Sequence, residues 1–140
     1  MNLSRRQLAA LIPALAAAQQ TPAQTTLPSK TYHNNQIPYT GDEKKKGRRF
    51  FRGANHAGFQ VEMHETILAP GMLSHAPHKH VNEEIVIVME GTMESTINGK
   101  TETAETGSVV YFGSNEMHNS RNAGDTPCRY YVLELLGDAA

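Results

Sequence analysis

At 140 residues, with 13 Lys and Arg against 14 Asp and Glu, the chain has room for one domain and carries no bulk charge. Near-neutrality excludes nucleic-acid binding by bulk electrostatics, and a single cysteine, Cys128, excludes an intrachain disulfide. The hydrophobic content of 39% is enough for a modest core, although tryptophan is absent.

The first element is read as an export signal over residues 1–18. Met1 to Arg6 is short and basic, Leu8 to Ala18 is an apolar run, and Ala16-Ala17-Ala18 offers a small-x-small cleavage site before Gln19. The run is too short to span a bilayer, so no stable membrane anchor is expected. Pro13 inside it argues against an ordinary domain helix. Ser4-Arg5-Arg6-Gln7-Leu8 resembles a twin-arginine signal, with Leu8 in place of the usual Phe. A periplasmic or secreted location is the expectation.

Residues 19–47 are polar and broken by Pro22, Pro28, Pro38 and Gly41, which reads as a linker or an arm with little regular structure. Lys44-Lys45-Lys46 with Arg48-Arg49 reads as a solvated basic start to the domain, residues 48–140.

From Phe50 the texture is β. Phe59 to Leu68 alternates, with Phe59, Val61, Met63, Glu65 and Ile67 on one side. Either His64 or Glu65 must then face the cavity, and parity alone leaves the choice open. Glu84 to Met89 is rich in β-branched residues and closes at Gly91. Asn98-Gly99 between Thr92–Ile97 and Lys100–Glu105 predicts a two-residue type I′ hairpin. Val109 to Phe112, Met117 to Asn122 and Arg129 to Leu136 supply further strands. Many short strands at regular spacing predict an all-β barrel or jelly roll with no helix after the signal. Cys128 reads as a small buried apolar residue, and Tyr111 and Phe112 as packing residues.

The densest chemistry is His75-Ala76-Pro77-His78-Lys79-His80-Val81-Asn82-Glu83-Glu84. On an extended strand His78, His80 and Glu84 are separated by even steps, so they share a face. His118 is the only later histidine and can supply a third imidazole from another strand. Three neutral imidazoles with one carboxylate suit a divalent Fe, Mn, Ni, Cu or Zn ion. His75 is an odd step from His78 and reads as a pocket-rim residue, and Glu83 points away from Glu84.

These residues carry a resemblance. Gly71 to Gly91 resembles the first cupin motif, in which a Gly precedes His-x-His, then a Glu and a further Gly follow. The intervals from His80 to Glu84 and from Glu84 to Gly91 agree with it, and the interval from Gly71 to His78 is one residue longer. Gly107, His118 and Asn122 resemble the second motif, with Gly113 where Pro is usual and Asn115 where Gly is usual. The resemblance covers residues 71–122 through its motifs and about 50–137 with the surrounding strands. It implies a double-stranded β-helix, a jelly-roll barrel, with a divalent metal held inside by His78, His80, Glu84 and His118. It implies a small-molecule substrate or ligand, with oxygenase, isomerase and hydrolase chemistry all open. By analogy with dioxygenase-like cupins, Glu84 is the candidate catalytic base. The alternative is a non-catalytic periplasmic module that binds a sugar or another small ligand. A homodimer is the expected assembly.

Overall fold

The computed structural model describes residues 26–137, so the expected export signal and its cleavage site lie outside the described residues. A single-turn 3-10 helix, Asn34–Gln36, precedes nine strands: β1 (Thr40–Gly41), β2 (Lys45–Ala54), β3 (Gln60–Leu68), β4 (Glu83–Glu90), β5 (Thr92–Ile97), β6 (Lys100–Glu105), β7 (Val109–Phe112), β8 (His118–Asn122) and β9 (Cys128–Gly137). They form two antiparallel sheets, one ordered β1-β2-β3-β9-β4-β7 and one ordered β6-β5-β8. Among the described residues there is no α-helix, and the architecture is the expected jelly-roll barrel.

Turn chemistry fixes the register. Asn98 and Gly99 both take positive φ, 48° and 81°, as a type I′ turn requires. Asn115 also takes positive φ, 59°, so a residue that tolerates the left-handed region stands where the motif's glycine would. Gly113 donates its N–H to the Glu116 carboxylate, a bond that the usual Pro could not make. The departures from the second motif therefore preserve the turn before His118. At Gly91 a Cβ would come within 2.7 Å of the Pro127 carbonyl oxygen, so no larger residue fits there.

The inward-facing residues fall into rows across the large sheet. Leu68 pairs with Cys128, and Val88 with Tyr130; Val86 pairs with Val132, and Glu84 with Glu134, which in turn opposes Glu62. The barrel thus grades from an apolar end, where Leu68, Val88, Met93 and Cys128 are fully buried, to an end that presents carboxylates and imidazoles. Burial pushes the Cys128 thiol up to about 11, which suits a packing residue. Asn122 closes the apolar end: its amide nitrogen donates to the Leu68 and Thr126 carbonyls, and its oxygen accepts from the Gly124 N–H.

Residues 26–47 contribute more order than their composition predicts. Leu27 donates its backbone N–H to Ala54, Tyr32 packs on Phe51 at 5.3 Å between ring centroids, and Tyr39 donates to Glu65. This segment lies over the outer face of β2, β3 and β9, where Phe50, Phe51, Met63 and Tyr131 line a common hollow. The apolar alternation of β3 marks that outer face, and His64 turns inward. A polar sequence is enough here because a few aromatic and ionic anchors hold it to an existing sheet.

Candidate metal centre

At the polar end, the chain between β3 and β4 runs beside β8 without forming a continuous strand. Ser74 donates its N–H to Ser120, His78 and His118 exchange backbone bonds at 3.1 and 2.8 Å, and the Asn115 N–H donates to His80. The expected even spacing on an extended strand is therefore realised as an interrupted ladder. Pinned at His78, it still delivers the rings of His78 and His80 to one place.

Those rings meet His118. The centroid distances are 5.0 Å for His78–His80, 4.7 Å for His78–His118 and 5.0 Å for His80–His118. Glu84 comes from β4, and its carboxylate lies 2.9 Å from Nε2 of His80. Two overlapping trios of donor atoms result, His80–Glu84–His118 and His75–His78–His118, each with all atoms within 4.8 Å of one another. All four residues expected as ligands are gathered, and His75 joins them. Parity puts His75 on the rim only for a regular strand, and the chain is not one between Ser74 and His80.

Hydrogen bonds set the tautomers. Nδ1 of His80 lies 2.9 Å from the Asn82 carbonyl, and Nδ1 of His118 lies 2.8 Å from the Glu116 carbonyl. A carbonyl only accepts, so each Nδ1 carries the proton and each Nε2 keeps a lone pair. Nε2 of His118 and Nδ1 of His78 are buried without any hydrogen-bond partner. A buried polar atom left unpaired costs about 1–3 kcal/mol. Backbone carbonyls that orient imidazoles whose other nitrogen is unpaired are what a metal site requires. The residues therefore fit a divalent ion. Phe112 stacks on His118, with centroids 4.4 Å apart and planes 18° apart, and holds the ring in place. Burial lowers the pKa of His78, and the nearby His118 and His80 rings lower it further. The ring thus stays neutral and able to bind a cation.

The cavity has a volume of about 230 Å³, and its walls include Lys45, His64, His75, Glu84 and Glu134. The inward row Glu62, Glu134, Glu84 places three carboxylates directly across from one another, an arrangement that is unfavourable when all are charged. Arg49 and Arg52 offset Glu62 at 3.1 and 3.4 Å. Burial, with Glu84 and Glu62 adding to it, raises the Glu134 pKa. His64 sits beside this row, its Nδ1 3.5 Å from Glu62, and burial lowers its pKa against the pull of Glu62 and Glu84. Glu65 faces the other way and is buried among Tyr39, Arg48 and Arg129.

Sequence reasoning missed two wall residues, Lys45 and Glu134, and the buried Glu62 that opposes Glu134. Lys45 read as part of a solvated cluster, yet its ammonium bonds the Ser74 carbonyl beside His75. Glu62 and Glu134 went unremarked, although each lies an even step from an inward residue, His64 and Val132. Arg121 and Arg129 are engaged elsewhere: Arg121 pairs with Glu94 at 2.6 Å, and Arg129 with Glu90 and Glu65.

The family model described as "Cupin domain" matches residues 64–134. The chain belongs to the cupin family. Solved cupin structures resemble it at the level of the fold. The polyketide cyclase RemF from Streptomyces resistomycificus aligns with TM-score 0.65 and 19% identity, covering 81% of this chain and 83% of its own. KdgF from Halomonas sp. aligns with TM-score 0.64 and 13% identity, covering 77% and 94%. The cupin domain of an XRE family transcriptional regulator from Enterobacter cloacae aligns with TM-score 0.57 and 26% identity, covering 66% and 97%. No curated protein matches the chain. These neighbours thus include a cyclase and a regulator's domain, and the fold is compatible with both.

Proposed function

We propose that this cupin is a metal-dependent protein acting on a small molecule, with a divalent ion held by His78, His80, Glu84 and His118. The observation that carries the reading is the pair of buried, unpartnered imidazole nitrogens on His78 and His118, beside a carboxylate and a third imidazole. A bound ion would satisfy both nitrogens and offset their burial cost. Such an ion supplies Lewis acidity or, where redox-active, oxygen activation. The remaining chemistry belongs to the chain. Glu84 can accept a proton when its carboxylate is not bound. Glu134, with its raised pKa, is suited to giving a proton to bound substrate. Lys45 at the rim favours a substrate with an anionic group. A cavity of about 230 Å³ favours a small one.

The binding-module alternative is disfavoured by the wall. Phe112 is already stacked on His118 and Tyr130 is buried, so the cavity presents no open aromatic platform for a sugar. Export and a homodimer belong to the same proposal. For the dimer, edge strand β7 exposes Val109 and Tyr111, and Val109 pairs across to the partly exposed Ile87 of β4. Sedimentation at micromolar concentration tests the dimer, and N-terminal sequencing starting near Gln19 tests export.

The deciding experiment is elemental analysis of protein purified from its native compartment. A first-row divalent metal near one per chain, absent from His118→Ala, is the expected result. Metal-free protein that still binds its small molecule would favour the binding module.

A further inference from the structure

His75 lies outside the four ligands that the proposed function uses, yet it is built like one of them. Its Nδ1 is 3.1 Å from the Ala76 carbonyl, so the proton sits on Nδ1 and Nε2 keeps its lone pair. His80 and His118 have the same arrangement. The His75 ring packs edge-on against His78 at 4.0 Å and lies 5.9 Å from His118. Its position is held from both sides. Ser74 bonds the Ser120 carbonyl through its N–H and its hydroxyl, and His78 is laddered to His118. The trios share the buried His118 and differ in access elsewhere: His75 is exposed and His78 half-buried in one, whereas His80 is half-buried and Glu84 buried in the other.

We propose that His75 is a loading ligand, so that the outer trio His75–His78–His118 takes an incoming divalent ion from solvent and delivers it to the resting set. This rests on the metal reading above. The two sets share His78 and His118, so delivery exchanges one bond for two. The His75 bond breaks as His80 and Glu84 bind, and His78 and His118 stay bonded throughout. No proton has to leave His75, His80 or His118, because each Nδ1 keeps its proton and donates it to a backbone carbonyl while the Nε2 lone pair is free. The route lets an ion shed its water in stages, through an exposed ligand first, and it works in reverse for release.

The test is stopped-flow zinc uptake by metal-free full-length protein, and zinc release to a chromogenic chelator, in wild type, His75→Ala and His56→Ala. His56 is an exposed loop histidine, and its variant controls for loss of a surface imidazole. The expected result is uptake and release both slowed about tenfold or more in His75→Ala, with equilibrium affinity unchanged and His56→Ala identical to wild type. His75→Ala that exchanges zinc at the wild-type rate, while wild type binds one equivalent, overturns the loading role and leaves the metal reading standing. Equal loss of affinity in His75→Ala and His118→Ala also overturns it, by making His75 a permanent ligand. Wild type that binds no zinc overturns both.

Discussion

Glu65 and His118 are equally hidden from solvent, at 0% and 1% exposure, and the fold treats their polar atoms in opposite ways. On the outer face of β3, Glu65 accepts from Tyr39 at 2.9 Å, and Arg48 and Arg129 close on it from two further strands. Every charge there has a partner, and the cluster fastens residues 34–40 to the barrel. On the inner face, His118 spends one nitrogen on a backbone carbonyl and leaves the other with none. The first arrangement is complete as folded, and the second leaves a buried nitrogen unpaired. Burial by itself therefore does not separate a structural polar group from a functional one, whereas satisfaction does.

The largest expected effect breaks the complete side. Glu65→Ala leaves the buried Arg48 guanidinium without its carboxylate, whereas Arg129 keeps Glu90, and removing one partner of a buried ion pair costs about 3–5 kcal/mol. Urea denaturation of the metal-free variant should show a loss of that size, with zinc stoichiometry unchanged in the protein that remains folded. A loss below about 1 kcal/mol, the value of a surface pair, would mean that the cluster does not fasten the arm.

On the incomplete side, His118→Ala should lower metal affinity by more than the roughly 10–100-fold typical of residues that only orient a ligand. His75→Ala should leave it at the wild-type value and change only the rates. Both variants should keep the wild-type circular dichroism spectrum, because Leu68, Val86, Val88 and Val132 form the core without the metal. If His75→Ala empties the site and His118→Ala stays loaded, the ligand assignment is wrong.

An intermediate effect sharpens the comparison within β8, which carries a group of each kind. Asn122 lies on the same strand as His118 and is fully satisfied. Asn122→Ala leaves the Leu68 and Thr126 carbonyls without their amide donor, at about 1–3 kcal/mol for buried unpaired groups. It should lower the melting temperature and leave metal affinity at the wild-type value. A parallel fall in affinity would show that the two ends of the barrel are not independent.

The smallest effect is one of pH. Burial lowers the pKa values of His64, His75 and His78 from the ordinary 6.5. As the pH falls through 6.5, the unfolded chain therefore takes up protons before the folded one does, and stability falls with pH. Glu134 acts in the opposite sense, because its raised pKa lets the folded state bind a proton first. The melting temperature of metal-free protein should drop between about pH 7 and about pH 5.5, and Glu134→Gln should steepen the drop. A melting temperature that rises over this range would mean that the pocket imidazoles are charged in the fold.

Strand positions were legible in the sequence because turn residues and alternation are local: β5, β6 and β7 fall where Asn98-Gly99, Gly107 and Gly113 place them. The four residues that converge were legible because the two motifs are local as well. The walls around them were not. Lys45 reaches Ser74 across 29 positions of sequence, and Glu134 meets Glu62 and Glu84 only through strand pairing. The inward face of β3 was hidden for a different reason. Its outer face is as apolar as a core because the arm covers it, so alternation left open which side is internal.

X-ray absorption at the zinc edge of protein loaded with one equivalent of zinc tests the metal centre most directly. Binding by His78, His80, Glu84 and His118 predicts a first shell of nitrogen and oxygen only, at about 2.0–2.2 Å, with outer-shell scattering from three imidazole rings that falls by one ring in His118→Ala. A sulfur shell, a shell of oxygens without imidazole scattering, or failure to retain zinc would contradict it.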